Sequence, residues 1–221
     1  MSLHPSRRTA LNRRDLARFE GETLFARIGR ALCDAECVPR KELWESWEVA
    51  RRVRRRFRGG RVVDLACGHG LIAHLCLILD DTSPTALAVD RRLPASAARV
   101  ADVLVAAWPR LEGRVTRLEA SIDEVPLDAG DLVVSAHACG GLTDEVLERA
   151  SAAGARVAVL PCCHSFDRND AGGLEGWMDP ALAIDATRAA RLRARGYRVH
   201  TQTIPAAITA KNRLLLAAPE A

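Results

Sequence analysis

The sequence predicts an α/β protein in which an N-terminal helical extension precedes a seven-stranded sheet, mostly parallel, with an antiparallel last strand. Three observations support this fold class. Hydrophobic residues make up 48% and charged residues 27% of the 221 positions, as in ordinary folded domains. Apolar residues recur at helical spacing up to residue 57. Beyond residue 60, short β-rich runs alternate with helical stretches, which is typical of a parallel sheet with crossover helices.

The extension is predicted to contain two amphipathic helices. Apolar residues recur every three or four positions over residues 16–32 and again over residues 43–57. A Val-Pro step between these segments disfavours helix, so the chain should turn over residues 34–40. The glycine pair at residues 59–60 should end the second helix.

The remaining chain is predicted to alternate between strands and helices. Parallel strands are expected at residues 61–66, 86–90, 115–119, 131–136 and 156–161. Helices are expected at residues 71–79, 94–107, 142–152 and 180–195. The last two runs, residues 197–203 and 213–217, leave no room for a helix between them, so they should form an antiparallel pair at the sheet edge.

Charge separates the two predicted segments, a basic extension at 1–60 and a sheet domain at 61–221. Residues 1–61 contain 16 Lys and Arg against 8 Asp and Glu, whereas residues 62–221 contain 16 against 20. No apolar run approaches the roughly 20 residues of a membrane span, and the polar N-terminus does not resemble a secretory signal. Seven cysteines, an odd number, fit reduced thiols. We therefore expect a cytoplasmic protein without a membrane partner, of unspecified oligomeric state.

A glycine turn after the first strand predicts a site for a nucleotide-like cofactor. The strand contains Asp64 and runs into Ala66-Cys67-Gly68-His69-Gly70, after which a helix begins. Glycines in this context let the backbone approach a ligand closely. Twenty residues later, Asp90 ends the second strand, where a carboxylate can accept hydrogen bonds from both hydroxyls of an adenosine ribose.

The segment 64–70 resembles the first motif of class I S-adenosylmethionine-dependent methyltransferases, in which an acidic residue and two further residues precede Cys-Gly-any-Gly. The resemblance covers residues 61–217 and implies the Rossmann-like methyltransferase sheet, with S-adenosylmethionine as cofactor. The residues that it implies for cofactor binding are Asp64, Ala66, Cys67, Gly68, Gly70, Asp90, Ser121, Ile122 and His137. Ser121 and Ile122 would adjoin the adenine. Ala66 departs from the family, which commonly has glycine at this position.

Two other functions fit the same glycine turn. Residues 68–73 also satisfy Gly-x-Gly-x-x-Gly/Ala, the fingerprint of nicotinamide and flavin oxidoreductases. Asp64 inside the first strand and the terminal antiparallel pair favour the methyl donor instead. A module that retains the fold and binds RNA without catalysis is the third possibility, and it would bind no cofactor.

The ends of the fourth and fifth strands contain the candidate catalytic residues. His137 and Cys139 follow the fourth strand, and Cys162, Cys163 and His164 follow the fifth. Methyl transfer from a sulfonium needs an aligned acceptor and, for a hydroxyl, removal of its proton. We predict His164 and His137 as bases and favour His164, because a glycine-rich loop follows it. The alternative for each is a histidine that only hydrogen-bonds backbone at a strand end.

The same cluster offers the residue types of a zinc site, but we predict no metal. Cys162 and Cys163 would project to opposite faces if the strand pleat continued, and Cys-x-x-Cys spacing is absent. A covalent role for Cys162, as in enzymes that methylate pyrimidine carbon through a Pro-Cys dipeptide, is disfavoured by its place on the fifth strand. The loop at 166–179 is a candidate lid that contains Trp177, although a solvated loop is the simpler interpretation.

Two short segments resemble the branch that includes the eukaryotic tRNA 2′-O-methyltransferase of the acceptor stem. They are His-Ala-Cys-Gly at 137–140 and Cys-Cys-His at 162–164. This resemblance implies an RNA ribose hydroxyl as acceptor, although the zinc-binding modules of that enzyme have no counterpart here. The basic extension agrees, since its arginines at positions 51, 52, 54, 55, 56 and 58 could contact phosphates. Alternatively, these arginines form a solvated helix face. In that case residues 40–47 could close over the cofactor, and the acceptor would be a metabolite.

Overall fold

A seven-stranded sheet with helices on both faces forms the centre of the structure, a computed structural model that describes residues 4–220. Its strands are β1 (Val62–Leu65), β2 (Ala86–Asp90), β3 (Val115–Glu119), β4 (Leu132–Ser135), β5 (Arg156–Val159), β6 (Tyr197–Thr203) and β7 (Arg213–Pro219). The spatial order is β3-β2-β1-β4-β5-β7-β6. Strands β1 to β5 are parallel, and β7 is antiparallel to β5 and β6, so the predicted fold class is confirmed.

Helices cover both faces of the sheet. They are α1 (Leu24–Ala35), α2 (Arg40–Arg56), α3 (Leu71–Leu79), α4 (Ala97–Ala107), α5 (Gly141–Ala152) and α6 (Pro180–Ala194). Successive strand residues alternate between the two cores: Val62 packs with the first four helices, and Val63 with the last two. Both faces are therefore buried, which explains why the central strands are apolar throughout. No helix in residues 4–220 is long and apolar enough to span a membrane.

The first predicted helix, residues 16–32, is wrong as a continuous element. A 3-10 helix covers Arg13–Arg18, and α1 begins only at Leu24. Gly21 interrupts the helical path with φ of 74°, and the Thr23 hydroxyl caps the new helix by accepting a hydrogen bond from the backbone N–H of Ala26 at 3.2 Å. The apolar spacing continues through the break, so periodicity alone predicted one helix.

Helix α2 extends from the carboxyl ends of the parallel strands towards their amino ends. At its first turn Glu42 contacts His69, which follows β1. Just beyond its last turn Arg58 donates to the carbonyl of Leu79, at the end of α3. Seventeen residues at about 1.5 Å each make the helix about 25 Å long. The two ends of α2 therefore lie at opposite ends of the parallel strands, and only the N-terminal end of α2 is near the β1–α3 loop.

Candidate functional site

The loop between β1 and α3 turns sharply through three left-handed backbone positions. Ala66, Gly68 and Gly70 have φ of 56°, 55° and 71°. A Cβ on Gly70 would lie only 3.1 Å from the Cβ of Ala88 in β2, so glycine is needed there for conformation and for space. Ala66 adopts the same left-handed region although it carries a Cβ, which is unfavourable there.

Asp90 ends β2 directly beside this loop. Its Oδ2 accepts a hydrogen bond from the N–H of Gly68 at 2.9 Å, and its Oδ1 accepts one from Arg92 at 3.2 Å. Each carboxylate oxygen retains a second lone pair for a ligand hydroxyl. The Ala120 N–H donates to the Asp90 carbonyl at 3.1 Å, so the segment that begins with Ser121 starts beside this strand end. The fold thus brings the predicted ribose and adenine residues together.

Asp64 lies beneath the loop with only 1% of its surface exposed. Its Oδ2 accepts a hydrogen bond from the N–H of Ala73 at 3.2 Å, whereas its Oδ1 has no partner among the described residues. Burial raises the pKa of Asp64 to about 8; the bond from Ala73 opposes this shift, while Asp90 and Glu42 add to it. A buried carboxylate oxygen without a partner favours a nearby cation or hydrogen-bond donor.

His69, the variable residue of the glycine turn, is bound on both ring nitrogens. Its Nδ1 lies 2.9 Å from Oε1 of Glu42, and its Nε2 lies 3.0 Å from Oγ of Ser96. The hydrogen bond to Glu42 raises the pKa of His69, and burial opposes that increase. The link from His69 to Glu42 was not predicted from the sequence. The only related expectation was that residues 40–47 close over the cofactor.

His137 lies between the glycine turn and a cavity of about 450 Å³. A Cβ on Gly68 would be 3.9 Å from Cδ2 of the His137 ring, so the ring borders the loop. The cavity is lined by residues from the extension, from the ends of β4 and β5, and from the β6–β7 connection: Ser6, Arg8, Lys41, Glu45, Ala136, His137, Cys162, Cys163, Ile208, Thr209, Ala210 and Lys211. His137 is half-buried and faces a space of metabolite size.

The ring of His164, unlike that of His137, is buried beside Asp185. Its side chain is 1% exposed, and its Nε2 lies 2.8 Å from Oδ1 of Asp185. The same carboxylate pairs with Arg188 at 3.2 Å and Arg213 at 2.7 Å. Nδ1 of His164 is buried without a hydrogen-bond partner in the described part of the chain. In this conformation the ring belongs to a buried ionic network, so proton transfer at His164 would require the ring to move.

The expectation that Cys162 and Cys163 point to opposite faces is wrong. Their Sγ atoms lie within 4.8 Å of each other and of Cys139 Sγ, and the Cys139–Cys162 sulfur distance is 3.0 Å. Strand β5 ends at Val159, so its pleat does not continue to the two cysteines. Burial, together with the neighbouring thiols, raises the pKa of Cys162. All seven cysteines, which lie in the described part of the chain, are free.

The glycine-rich loop at 166–179 lies open in this structure. Trp177 is 86% exposed and therefore packs against neither the glycine turn nor the cavity beside His137. Phe166, at the start of the loop, is also exposed. The loop has the position and composition of a lid, and its predicted contact with an acceptor ring stays a prediction.

The arginines of α2 differ from the predicted phosphate-binding row. Arg54 is buried, and its guanidinium lies 3.2 Å from Asp80 and 2.7 Å from Ser83, so it cannot contact phosphate. Arg51 and Arg52 both pair with Glu48 in the same helix. Arg56 contacts His200 of β6, and Arg58 donates to the carbonyl of Leu79 at the end of α3, so neither lies beside the glycine turn.

Comparison with known proteins agrees with this geometry. The strand order, with β7 antiparallel, is that of the Rossmann-like methyltransferase fold. A family described as a methyltransferase domain matches residues 45–166, more than half of the chain, and the chain belongs to this family. The dinucleotide-dependent and non-catalytic alternatives are thereby set aside. Among curated proteins, none matches the sequence.

Several solved structures share the fold. An O-methyltransferase family protein from Burkholderia thailandensis has a TM-score of 0.53 at 20% identity, covering 94% of this chain and 63% of its own. The mitomycin 7-O-methyltransferase MmcR has a TM-score of 0.53 at 19% identity, covering 96% and 65%. A precorrin-6y C5,15-methyltransferase from Geobacter metallireducens has a TM-score of 0.51 at 15% identity, covering 79% and 87%. The chain spans less than two thirds of the first two proteins.

The residues present fit S-adenosylmethionine, the cofactor of this family. The unpartnered Oδ1 of buried Asp64 suits the positive charge of the methionine part. The glycine turn leaves space where side chains would otherwise project, and Asp90 has free lone pairs for ribose hydroxyls. When bound, the cofactor would supply an electrophilic methyl group, and Asp64, Asp90 and the glycine turn are the residues that would hold it.

Proposed function

We propose that this protein transfers the methyl group of S-adenosylmethionine to an anionic acceptor bound in the cavity beside His137, and that this acceptor is an RNA ribose hydroxyl. The observation that supports the proposal most directly is the composition of the cavity. The lining contains His137, which borders the glycine turn, together with Arg8, Lys211 and Lys41, the last of which is paired with Glu45 at 2.8 Å. Cationic side chains next to a potential base suit a nucleophile that is attached to a phosphate.

In the proposed mechanism, His137 accepts the proton of the acceptor hydroxyl as the oxygen attacks the methyl carbon in line. The basic side chains hold the phosphate, so that the hydroxyl is aligned with the sulfonium. Asp64 and Asp90 bind the charged and ribose parts of the cofactor. His164 is the second candidate base, but its hydrogen bond to Asp185 would have to break first.

The proposed RNA contact differs from the one that the sequence suggested. Support comes from the cationic side chains of the cavity rather than from the α2 arginines, of which Arg54 is buried. An RNA that reached both Arg55 and the glycine turn would have to extend along most of α2, about 20 Å. We therefore propose a local contact in which one nucleotide and its phosphates enter the cavity.

A small anionic metabolite is the second candidate acceptor. Two observations favour it: the cavity has the size of a small-molecule site, and the bond between Glu42 and His69 fastens the extension over the glycine turn. For either acceptor, we propose a cytoplasmic location, which the free cysteines support.

The experiment that separates the two acceptors uses S-adenosylmethionine with a labelled methyl group. The protein is incubated with a cellular extract, which is then divided into RNA, protein and metabolite fractions. Label in RNA that survives alkaline hydrolysis as a 2′-O-methylated dinucleotide supports the ribose acceptor. Label only in metabolites rules out RNA in favour of the second candidate.

The role of His137 is tested on whichever fraction accepts the label. The His137→Asn variant should lose at least about tenfold in the rate of transfer while it retains affinity for S-adenosylhomocysteine. His200, at the far sheet edge on β6, provides the matched control, His200→Asn, which should leave the rate unchanged. Equal rates for wild type and His137→Asn would rule out His137 as the base.

A further inference from the structure

Three cysteine sulfurs converge next to the proposed acceptor cavity. The Sγ atoms of Cys139, Cys162 and Cys163 all lie within 4.8 Å of one another. They belong to the segments that follow β4 and β5, and the N–H of Gly140 donates to the carbonyl of Cys163 at 3.1 Å, which joins these segments. The backbone therefore holds three thiols together at the carboxyl edge of the sheet without a disulfide.

Contrary to the expectation from the sequence that this cluster binds no metal, we propose that Cys139, Cys162 and Cys163 form a binding site for one thiophilic divalent cation of the zinc class. A zinc ion about 2.3 Å from each sulfur keeps its ligands roughly 3.8 to 4.0 Å apart. The Cys139–Cys162 sulfur distance is 3.0 Å and no two of the three sulfurs are more than 4.8 Å apart, so the cluster is close to this spacing. Thiolate ligands select zinc and similar soft cations over magnesium and calcium.

The two histidines of the same segments are not part of the site. Nε2 of His164 is bonded to Asp185, its side chain is buried, and its ring nitrogens are not among the atoms of the cluster. His137 borders the glycine turn and lies outside the group of atoms within 4.8 Å. The protein thus supplies three ligands, all sulfur, which is one fewer than a closed tetrahedral structural site has.

The exposure of the cluster suits an exchangeable fourth ligand. Cys139 and Cys163 are exposed and Cys162 is half-buried, so an ion can enter from solvent. Cys162 and Cys163 also line the cavity of about 450 Å³. An ion held by these sulfurs would border the cavity, from which water or an atom of the bound acceptor could supply the fourth ligand.

Charge on the cavity walls favours the loaded site. On binding, three S–H bonds break, three protons pass to solvent, and three sulfur–metal bonds form, so a divalent ion and its thiolates have a net charge of −1. Arg8, Lys41 and Lys211 line the same cavity, and among these Lys41 is paired with Glu45 at 2.8 Å. Positive side chains around an anionic complex stabilise it electrostatically.

The test measures metal binding by the full chain, kept reduced and first freed of metal with a chelator. Titration with zinc against a chromophoric chelator should give one equivalent per chain. Cys139→Ser, Cys162→Ser and Cys163→Ser should each weaken zinc binding at least tenfold. The matched control is Cys37→Ser, because Cys37 is a partly exposed thiol outside the cluster, and it should change affinity less than twofold.

Cobalt provides a second measurement that needs no variant. Cobalt bound by three thiolates should give thiolate-to-cobalt charge-transfer absorption and the intense visible bands of tetrahedral coordination, and zinc should displace it. A wild-type protein that binds less than a tenth of an equivalent of zinc, or a cobalt spectrum without the thiolate band, would overturn the proposal. An equal loss of zinc affinity in Cys37→Ser would overturn it as well.

Discussion

His69 links the glycine turn to the N-terminal extension through Glu42. The Nδ1 atom of His69 lies 2.9 and 3.0 Å from the two carboxylate oxygens of Glu42. Nε2 of His69 lies 3.0 Å from Ser96, at the start of α4. One imidazole therefore joins the first turn of α2, the glycine turn and α4. The extension is one wall of the site, and changes in it should affect the glycine turn directly.

The first prediction concerns the pH dependence of this link. The hydrogen bond to Glu42 raises the pKa of His69, so the pair stabilises the fold fully below the unfolded value of about 6.5, and the stabilisation is lost as pH rises through the raised value. Glu42→Gln should therefore lower the free energy of unfolding by about 1 kcal/mol at pH 6 and by much less at pH 9. Urea unfolding at both pH values measures the difference.

Glu45→Gln is the matched control for this prediction. Glu45 lies one turn later on α2 and pairs with Lys41 instead of a histidine. Its variant should show the same loss at pH 6 and pH 9, because this ion pair contains no histidine. A Glu42→Gln loss that is equally independent of pH would contradict the assigned role of His69.

The second prediction concerns the ribose. Asp90→Asn should weaken the binding of S-adenosylhomocysteine about 10- to 100-fold, since hydrogen bonds to a charged acceptor contribute about 1.5 to 3 kcal/mol. The side chain keeps its shape, and its carbonyl oxygen can still accept from Gly68. Isothermal titration calorimetry measures the affinity. Asp102→Asn, on the exposed face of α4, should bind like wild type; unchanged affinity in Asp90→Asn would remove the ribose from this carboxylate.

The fold was predictable because its signals are local. Alternation of apolar runs with helical stretches gave β2, β3 and α3 with their observed bounds. The antiparallel direction of β7 followed from the short connection after β6. The error in the first helix has a local cause that periodicity does not detect, namely the left-handed Gly21 and the cap at Thr23.

The candidate site was predictable only in part, because several contacts depend on tertiary packing. The glycine turn and Asp90 form a pattern in sequence, so they were identified directly. The bond between His69 and Glu42 joins residues 27 positions apart and has no sequence signature. The convergence of Cys162 and Cys163 depends on where β5 ends, and the burial of Arg54 depends on its pairing with Asp80.

The third prediction uses the left-handed alanine of the cofactor loop. Ala66→Gly removes a Cβ that is unfavourable at φ of 56° by roughly 1 to 2 kcal/mol, and it adds up to about 1 kcal/mol of chain entropy to the unfolded state. The free energy of unfolding should therefore rise by about 0 to 1 kcal/mol. Ala101→Gly, in the middle of α4, should lower it by about 1 kcal/mol. Equal losses in both variants would contradict strain at Ala66.

The fourth prediction concerns the buried acid beneath the loop. Burial raises the pKa of Asp64 to about 8, so the folded state retains a proton that the unfolded chain loses near pH 4, and stability falls as pH rises from about 4 to about 8. Asp64→Asn should abolish this dependence and be more stable than wild type by roughly 1 to 3 kcal/mol at pH 8. Thermal unfolding of both proteins at pH 5 and pH 8 tests this.

Asp64→Asn should weaken the binding of the cofactor although it stabilises the fold. The variant cannot provide a negative charge to the methionine part of S-adenosylmethionine, so its affinity should fall although the protein is more stable. A variant that is both more stable and equally tight in binding would show that Asp64 only supports the N-terminus of α3 through Ala73.

The last prediction separates structure from RNA contact in α2. Arg54 is 2% exposed and lies 3.2 Å from Asp80, whose pKa is lowered to about 2: burial opposes ionisation, but hydrogen bonds from Gly59 and Thr82 and the charge of Arg54 outweigh it. Arg54→Leu should lower the free energy of unfolding by about 2 to 4 kcal/mol, because it removes the buried cation beside Asp80 and leaves only Arg58, at 3.5 Å, as its charged partner. Arg55→Gln, at the exposed neighbouring position, should leave the free energy of unfolding unchanged.

The same variant tests the RNA contact. If RNA is bound only at the cavity, Arg55→Gln should leave the salt dependence of RNA binding unchanged, whereas Lys211→Gln should reduce the slope of log affinity against log salt concentration by about one. A reduced slope in Arg55→Gln would instead support an RNA path along α2.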